Sequence, residues 1–406
     1  MSASAKSGKQ SMRVRDIAHD RFYYLETASP LASGGEAFIY DVRGEPSLVA
    51  KIYKQRHEET ADKLAVMLAN PPKNPTERQG HQSYAWPTAL ISPPDASAII
   101  GFLMPKITGM RIVFDFYNPG QRRDNCPSFD YRYLLQTARN LAGIMREVHS
   151  RGYVVGDVNQ KNIYVSDSTL VTLLDTDSFQ ILDPQTGRLF LCRVQTDGFI
   201  APELFKTRRK DIERTAEQDL FGLAVVIFHL LMEGVHPFSG VDPGPGEPRK
   251  AQERIISGDF PYAAGSRLRP MPIAPPFEIL HSDLRALFLR CFVDGHSDPR
   301  ARPTAKEWQQ ALSKAAQELQ CCKVNEQHYY GAHMGACPWC ERVSRQFKDP
   351  FPSKSQVQSN SQAGNTPEAH SNPPFQFTYN PPSGRGKWVI GVVLVVVFLI
   401  VIMMRC

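Results

Sequence analysis

Three polar side chains at fixed intervals constrain this chain more than any other feature. In GYVVGDVNQKNIYV, Asp157 and Asn162 stand five apart in a polar loop bounded by apolar, strand-like runs, and Asp175 of VTLLDTDSF follows thirteen residues after Asn162. Hard oxygen donors on two neighbouring loops suit a divalent cation held against phosphate oxygens, and a nearby carboxylate suits acceptance of a hydroxyl proton. The layout therefore fits phosphoryl transfer. Read singly, each Asp or Asn is equally an Asx-type turn at a strand end.

The flanking sequence divides in character. From Phe22, short β-rich runs (FYYLETASPLA, AFIYDV, LVAKIY, SAIIGFLMP) alternate with Gly, Pro and Asp punctuation, and one helical stretch, ETADKLAVMLAN, is stopped by Pro71 and Pro72. From Tyr131, apolar residues fall near i, i+3, i+4 and i+7 in YRYLLQTARNLAGIMREVHS, DLFGLAVVIFHLLMEG, SDLRALFLRCF and TAKEWQQALSKAAQELQ. The expected class is α+β and bilobal: a disordered lead-in over 1–20, a small β-rich lobe over 21–106 and a helical lobe over 107–318.

Over roughly residues 22–318, and in the family's order, the chain resembles the eukaryotic-like Ser/Thr protein kinases of bacteria. GDVNQKN is similar to HRDLKPEN, which implies Asp157 as the catalytic aspartate and Asn162 as a magnesium ligand; DTD stands where DFG is usual, implying Asp175 as the second magnesium ligand. APE occurs intact at 201–203, and the resemblance pairs Glu203 with Arg302 of DPRARPTAKEW and makes Asp219 a buried anchor. LVAKIY resembles the VAIK strand, nominating Lys51 for the α and β phosphates. ASGGEAFIY resembles the Gly-rich loop, with Gly34 and Gly35 close to phosphate, and IIGFLMP places Met104 beside adenine. The acidic partner of Lys51 is sought among Glu58, Glu59 and Asp62, with Glu59 favoured. Thr196 of TDGFIAPE matches the threonine of Ser/Thr-specific members. Departures are Val155-Gly156 for the usual His-Arg, Asn159 for the usual lysine, with Lys161 as its substitute, and Asp177 for the DFG glycine. The resemblance implies an enzyme using ATP and Mg2+ to phosphorylate Ser/Thr of protein substrates; the alternative is an inactive pseudokinase scaffold that binds protein partners.

Eight cysteines are present, four of them between Cys321 and Cys340, a pattern that favours metal over disulfides and a reducing compartment. Cys337-Pro-Trp-Cys340 sets two thiolates on one turn, and Cys322 with His328 completes a Cys3His zinc set over a module at 319–343. Cys321 and His333 remain alternatives. Kinases with such a zinc-ribbon-like module are associated with von Willebrand-type and phosphatase partners, an expectation from resemblance alone. Residues 344–387, rich in Ser, Pro, Asn and Gln, read as a disordered tether. The uncharged run from Trp388 to Met404 is long enough, at about 26 Å as a helix, for a single-pass transmembrane anchor. No leader is legible in the first twenty residues, and the catalytic lobes are expected on the cytoplasmic side of that membrane. The net charge of +6 is small for 406 residues and its N-terminal lysines and arginines lack interleaved aromatics, so nucleic acid is not an expected partner.

Overall fold

The computed structural model describes residues 11–55, 58–206, 212–244 and 247–363. The N-terminal lobe is a seven-stranded antiparallel sheet in the order β2-β1-β6-β7-β5-β4-β3, formed by β1 (Ser11–Asp16), β2 (Arg21–Glu26), β3 (Ala32–Ser33), β4 (Ala37–Asp41), β5 (Leu48–Tyr53), β6 (Ala89–Ser92) and β7 (Gly101–Pro105). Alternation on β5 decides what the sheet presents to each side. Ala50 and Ile52 join a small core with Val14, Leu25, Ile91 and Leu103, so Lys51 and Tyr53 face the opposite way, toward helix α1 (Glu58–Ala69). Gly101 pairs across from Ile52, and a Cβ there would overlap the Lys51 carbonyl oxygen; its absence lets β7 close on the strand that carries the lysine.

The disordered lead-in expected over 1–20 is corrected from Ser11 onward. Strand β1 lies between β2 and β6, burying Val14 and Asp16 while Arg13 faces solvent. With arginine at alternate positions and only Met12 and Val14 as apolar inward residues, it carries too little hydrophobic period to be read as a strand.

The second lobe opens with β8 (Met110–Ile112), α2 (Val113–Tyr117) and α3 (Pro119–Asn125), followed by the long α4 (Tyr131–Ser150), whose first turn is capped by Asp130. Strand β9 (Ile163–Ser166), which leaves the Asp157 loop, pairs with β8 on one side and with β10 (Val171–Leu173) on the other; β11 (Ile181–Leu182) and β12 (Leu189–Phe190) form a ribbon in the following segment. Helix α5 (Ala216–Leu231) is buried continuously from Asp219, as its unbroken apolar run requires. Beyond it, β13 (Gly240–Val241) and β14 (Arg269–Pro270) bracket α6 (Ala251–Ser257), α7 (Ser282–Leu289) passes through a π turn into α8 (Gly295–Ser297), and α9 (Ala305–Gln317) packs along α4. Phe221, Phe228, Phe260, Phe288 and Phe292 interlock between α5 and α7.

The Cys/His segment follows as β15 (Leu319–Cys321), β16 (Tyr329–Gly331) and α10 (Pro338–Ser344), with α11 (Lys354–Ala363) last among the described elements. Here a second boundary moves. The tether expected from 344 begins later, because Phe351 is buried against Trp339 and Tyr131, and the Arg122 guanidinium lies 4.6 Å from its ring centre. Scattered aromatics in a polar stretch were too slight a signal to mark as packed. The single-pass membrane anchor is also corrected: no helix among the described residues is long and apolar enough to cross a membrane. The run Trp388–Met404 on which that expectation rested lies outside the described residues.

Candidate functional site

The catalytic loop after α4 is fastened by α5. Asp219, wholly buried, accepts from the backbone N–H groups of Val155 (2.7 Å) and Gly156 (2.8 Å) and lies 3.0 Å from His149 Nε2. These donors engage both carboxylate oxygens, which is what makes an aspartate tolerable in an otherwise apolar helix. Gly156 has φ +74°, and a Cβ on it would lie 2.5 Å from Cys192 Sγ. The buried thiol of Cys192, its pKa pushed up to about 11 by burial, thus fills the space that a side chain at 156 would need. Gly156→Ala is accordingly expected to cost about 2–5 kcal/mol, combining left-handed backbone strain with overpacking. Urea denaturation measures it; a change below about 0.5 kcal/mol, the range of inert surface substitutions, would refute the steric account.

Asp157 accepts from Thr196 Oγ1 at 3.3 Å. Burial pushes its pKa up, partly opposed by the bonds from Thr196 and Asn159. Its backbone carbonyl receives Asn159 Nδ2 (3.1 Å) and Asn162 Nδ2 (3.4 Å). Asn162 thereby commits its amide nitrogen, so its oxygen is the atom a cation would use. Asn159 is buried and its Oδ1 accepts from Lys161 N–H, which makes it a loop-shaping residue.

Across the cleft, Lys51 Nζ donates to Asp175 Oδ1 (2.7 Å) and Asp177 Oδ1 (2.6 Å), and Tyr53 OH donates to Asp177 Oδ2 (2.7 Å). Burial disfavours the Lys51 ammonium, yet Asp177 and Asp175 outweigh it and hold its pKa above the ordinary lysine value. Asp175 sits in the left-handed region (φ 54°) with 41% of its side chain exposed, open to a further ligand. Glu59 does not supply the partner of Lys51, and that expectation is corrected: its carboxylate accepts from Arg193 (3.0 Å) on the outer side of α1, as Asp62 does from Arg188 (2.6 Å). Sequence reading overlooked Asp177 and Tyr53 in this role, although alternation on β5 places Tyr53 on the same face as Lys51. Gly34 N–H donates to Ala37 O (3.0 Å) and its carbonyl accepts from Lys54 Nζ (2.6 Å), closing the β3–β4 turn; at Gly35 nothing lies within 4 Å of where a Cβ would stand. Met104 is half-buried on β7, opposite Val49.

Arg302, with no side-chain exposure, donates from Nη1 (2.8 Å) and Nη2 (2.7 Å) to the two oxygens of Glu203, and also to the carbonyls of Gly295 and Glu217. This bidentate pair ties the end of the activation segment to α5 and α8.

Cys322, His328, Cys337 and Cys340 converge, their ligand atoms all within 4.8 Å of one another. The Cys322 and Cys340 sulfurs are 3.6 Å apart, and His328 Nδ1 is 3.5 Å from Cys337 Sγ and 3.4 Å from Cys340 Sγ. A tetrahedral shell with Zn–S near 2.3 Å sets neighbouring sulfurs about 3.8 Å apart, so the donor set and spacing fit zinc. The other ring nitrogen, Nε2, meets Asp349 at 2.9 and 3.1 Å; burial opposes the charged ring, but this carboxylate raises its pKa to about 9. Cys321 is exposed with its thiol on backbone carbonyls, and His333 bonds Glu278 O, so neither joins the cluster. Asp349 was invisible beforehand because it lies in the stretch assigned to the tether.

A β-sheet lobe carrying Lys51, a helical lobe carrying the Asp157 loop, and Asp175 between them define a protein-kinase-like fold. No protein-family model matches the chain. Over 316 residues it is 38% identical to Protein kinase YegI of Escherichia coli O157:H7, and equally to the same protein of a second Escherichia coli strain, covering 76% of this chain and 48% and 47% of theirs. The chain therefore spans about half the length of the curated relatives it matches, and it is similar to those two protein kinases over that span. A solved structure of ROP2 from Toxoplasma gondii, described as a virulence factor with a protein-kinase fold and no enzymatic activity, aligns with TM-score 0.47 and 15% identity over 76% of this chain and 87% of that one, a likeness too distant to weigh.

Proposed function

We propose that this chain transfers the γ-phosphoryl group of ATP to serine or threonine hydroxyls of protein substrates. The observation that carries the reading is the gathering of Lys51, Asp157, Asn162 and Asp175 in one cleft. Lys51 orients the phosphates, and the buried Asp157 accepts the proton of the attacking hydroxyl. Thr196 donates to Asp157 and matches the threonine of the Ser/Thr-specific kinases that the sequence resembles, which favours Ser/Thr. Magnesium neutralises phosphate charge when bound, and Asn162 Oδ1 with the open Asp175 carboxylate are the groups that would hold it. Gly34, Gly35 and Met104 border the remainder of the nucleotide, Gly35 offering unobstructed backbone for close approach.

The Cys322, His328, Cys337 and Cys340 set is proposed as a structural zinc site. Asp349 on His328 Nε2 fixes the tautomer that leaves Nδ1 for the metal. Trp339 next to this centre packs on Tyr131 of α4, and Arg342 pairs with Glu233 (3.0 Å), so the module braces the helical lobe.

The test is incubation with γ-labelled ATP, magnesium and a generic protein acceptor. Label on acceptor serine or threonine is expected, and none with Asp157→Asn. Magnesium-nucleotide uptake without transfer by the wild type would instead assign a binding scaffold.

A further inference from the structure

We propose that Asp177 is the residue that positions Lys51 for the phosphates, holding it from the C-lobe loop where an acidic residue of α1 was expected to hold it from the N-lobe. The inference rests on the kinase reading above and assigns one more residue to that site.

The argument begins with what α1 turns toward the cleft. Two of its three acidic candidates, Glu59 and Asp62, are engaged on the outer side by Arg193 and Arg188. Among the described side chains of α1, the buried charged one is Lys63, 9% exposed, with its ammonium disfavoured by burial and attracted to Asp177 and Asp175. Helix α1 thus brings a second amine within electrostatic reach of the two aspartates that hold Lys51. Two buried ammonium groups repel each other and each is costly to desolvate, so the site is tolerable only with carboxylates beside them. Asp175 and Asp177 supply two, which balances the charge.

These two aspartates are not equivalent. Asp175 has one oxygen on Lys51 and a largely exposed side chain, so it is shared between the lysine and whatever enters the cleft. Asp177 is 10% exposed and both its oxygens are occupied, Oδ1 by Lys51 Nζ and Oδ2 by Tyr53 OH. Lys51 and Tyr53 stand two apart on one face of β5, so Asp177 is gripped by a single rigid strand. Tyr53 is steadied in turn by Phe102, the residue opposite Lys51 on β7, at a ring separation of 6.2 Å. Asp177 is therefore committed to holding the lysine, and Asp175 is left for metal. The substitution of aspartate for a loop glycine and the appearance of lysine on α1 are two halves of one charge exchange. Its consequence is that Lys51 is set by the loop that also carries Asp175, so the phosphate-binding and metal-binding groups move as one unit and Glu59 is dispensable.

The experiment measures kcat and ATP KM for wild type, Asp177→Asn, Asp177→Gly, Asp177→Gly/Lys63→Glu and Glu59→Ala. In parallel it measures the rate at which a small amine-directed acylating reagent modifies Lys51, read by peptide mass spectrometry. Asp177→Asn and Asp177→Gly are expected to lose about 10²-fold in kcat/KM, the usual consequence of misplacing a positioned group. The Lys63→Glu double variant, with a carboxylate restored from α1, is expected to recover at least tenfold over Asp177→Gly, an effect a merely structural role for Asp177 does not predict. Glu59→Ala stays within about twofold of wild type, since its exposed pair is worth little. Acylation of Lys51 rises at least tenfold in Asp177→Asn, because the ammonium loses its committed anion. An Asp177→Asn protein with wild-type kinetics and unchanged Lys51 acylation overturns the proposal while leaving the kinase reading intact. If no variant, wild type included, transfers phosphate, the kinase reading fails, and the acylation rates alone then decide whether Asp177 holds Lys51.

Discussion

Asp157→Asn is expected to lower kcat/KM for phosphoryl transfer by about 10²–10⁴-fold, the range a positioned general base contributes, or about 3–5 kcal/mol of barrier. Asparagine preserves the shape of the side chain but cannot take the hydroxyl proton. The fold is expected to survive. The loop is held through the backbone N–H groups of Val155 and Gly156 on Asp219, and through the Asp157 carbonyl on Asn159 and Asn162, none of which involves the carboxylate. Stability should even rise slightly near neutral pH. Burial raises the Asp157 pKa above its unfolded value, so ionising it in the folded state is disfavoured and stability falls as pH rises through the folded pKa; the amide removes that penalty. In the wild type the same shift moves the acid limb of the kcat/KM profile upward in pH relative to an exposed aspartate, because activity disappears as Asp157 takes up its proton. Steady-state kinetics from pH 5 to 8 beside urea denaturation read both effects. A variant retaining more than a tenth of wild-type kcat/KM would remove Asp157 from the base role.

How much of this was readable beforehand depended on whether a residue acts within a local pattern or through a tertiary exchange. The Asp157 loop, the buried Asp219 and the Cys337–Cys340 turn are local words, recognisable because their chemistry needs adjacent residues in a fixed spacing. Glu203 and Arg302 lie far apart in sequence and meet in the structure as a bidentate pair, and they were legible only because each sits in its own short motif. The partner of Lys51 had no such marker. Helix α1 carries acids near its start, and nothing in their spacing tells which face the helix turns inward; that face is set by Leu64 and Met67, which dock into the large core and carry Lys63 in with them. Strand β1 failed for the converse reason: its pairing with β2 and β6 supplies through backbone bonds what its two apolar inward residues, Met12 and Val14, do not announce. Asp349 and Phe351 belong to the Cys/His module by contact, while their composition belongs to the polar stretch that follows.

Removing metal from the Cys/His centre, by a chelator or by Cys337→Ser, is expected to lower the unfolding midpoint of the whole described domain by on the order of 10 °C. The module is too small to bury a core of its own, so the shape that presents Trp339 depends on the four ligands being drawn together. Trp339 is fully buried between Tyr131 at the start of α4 and Phe351, and losing a buried aromatic contact of this size typically costs about 3–5 kcal/mol. At about 2–4 °C per kcal/mol for a domain of this size, that produces the expected shift. Two arginines tie the module into the helical lobe. Arg342 anchors α10 to Glu233 and to the carbonyls of Ile273 and Ala274, and Arg122 ties the Phe116 carbonyl to that of Pro350. Helices α2 and α3, next to the strand that leads into the second lobe, thus share their support with the metal module. Asp349→Ala is expected to weaken metal retention about 10–100-fold without removing a ligand, as loss of an outer-shell partner does. Elemental analysis and scanning calorimetry check both claims. Purified protein with less than a tenth of an equivalent of zinc, or an unfolding midpoint indifferent to Cys337→Ser, would show that the four side chains converge for some purpose other than holding a metal.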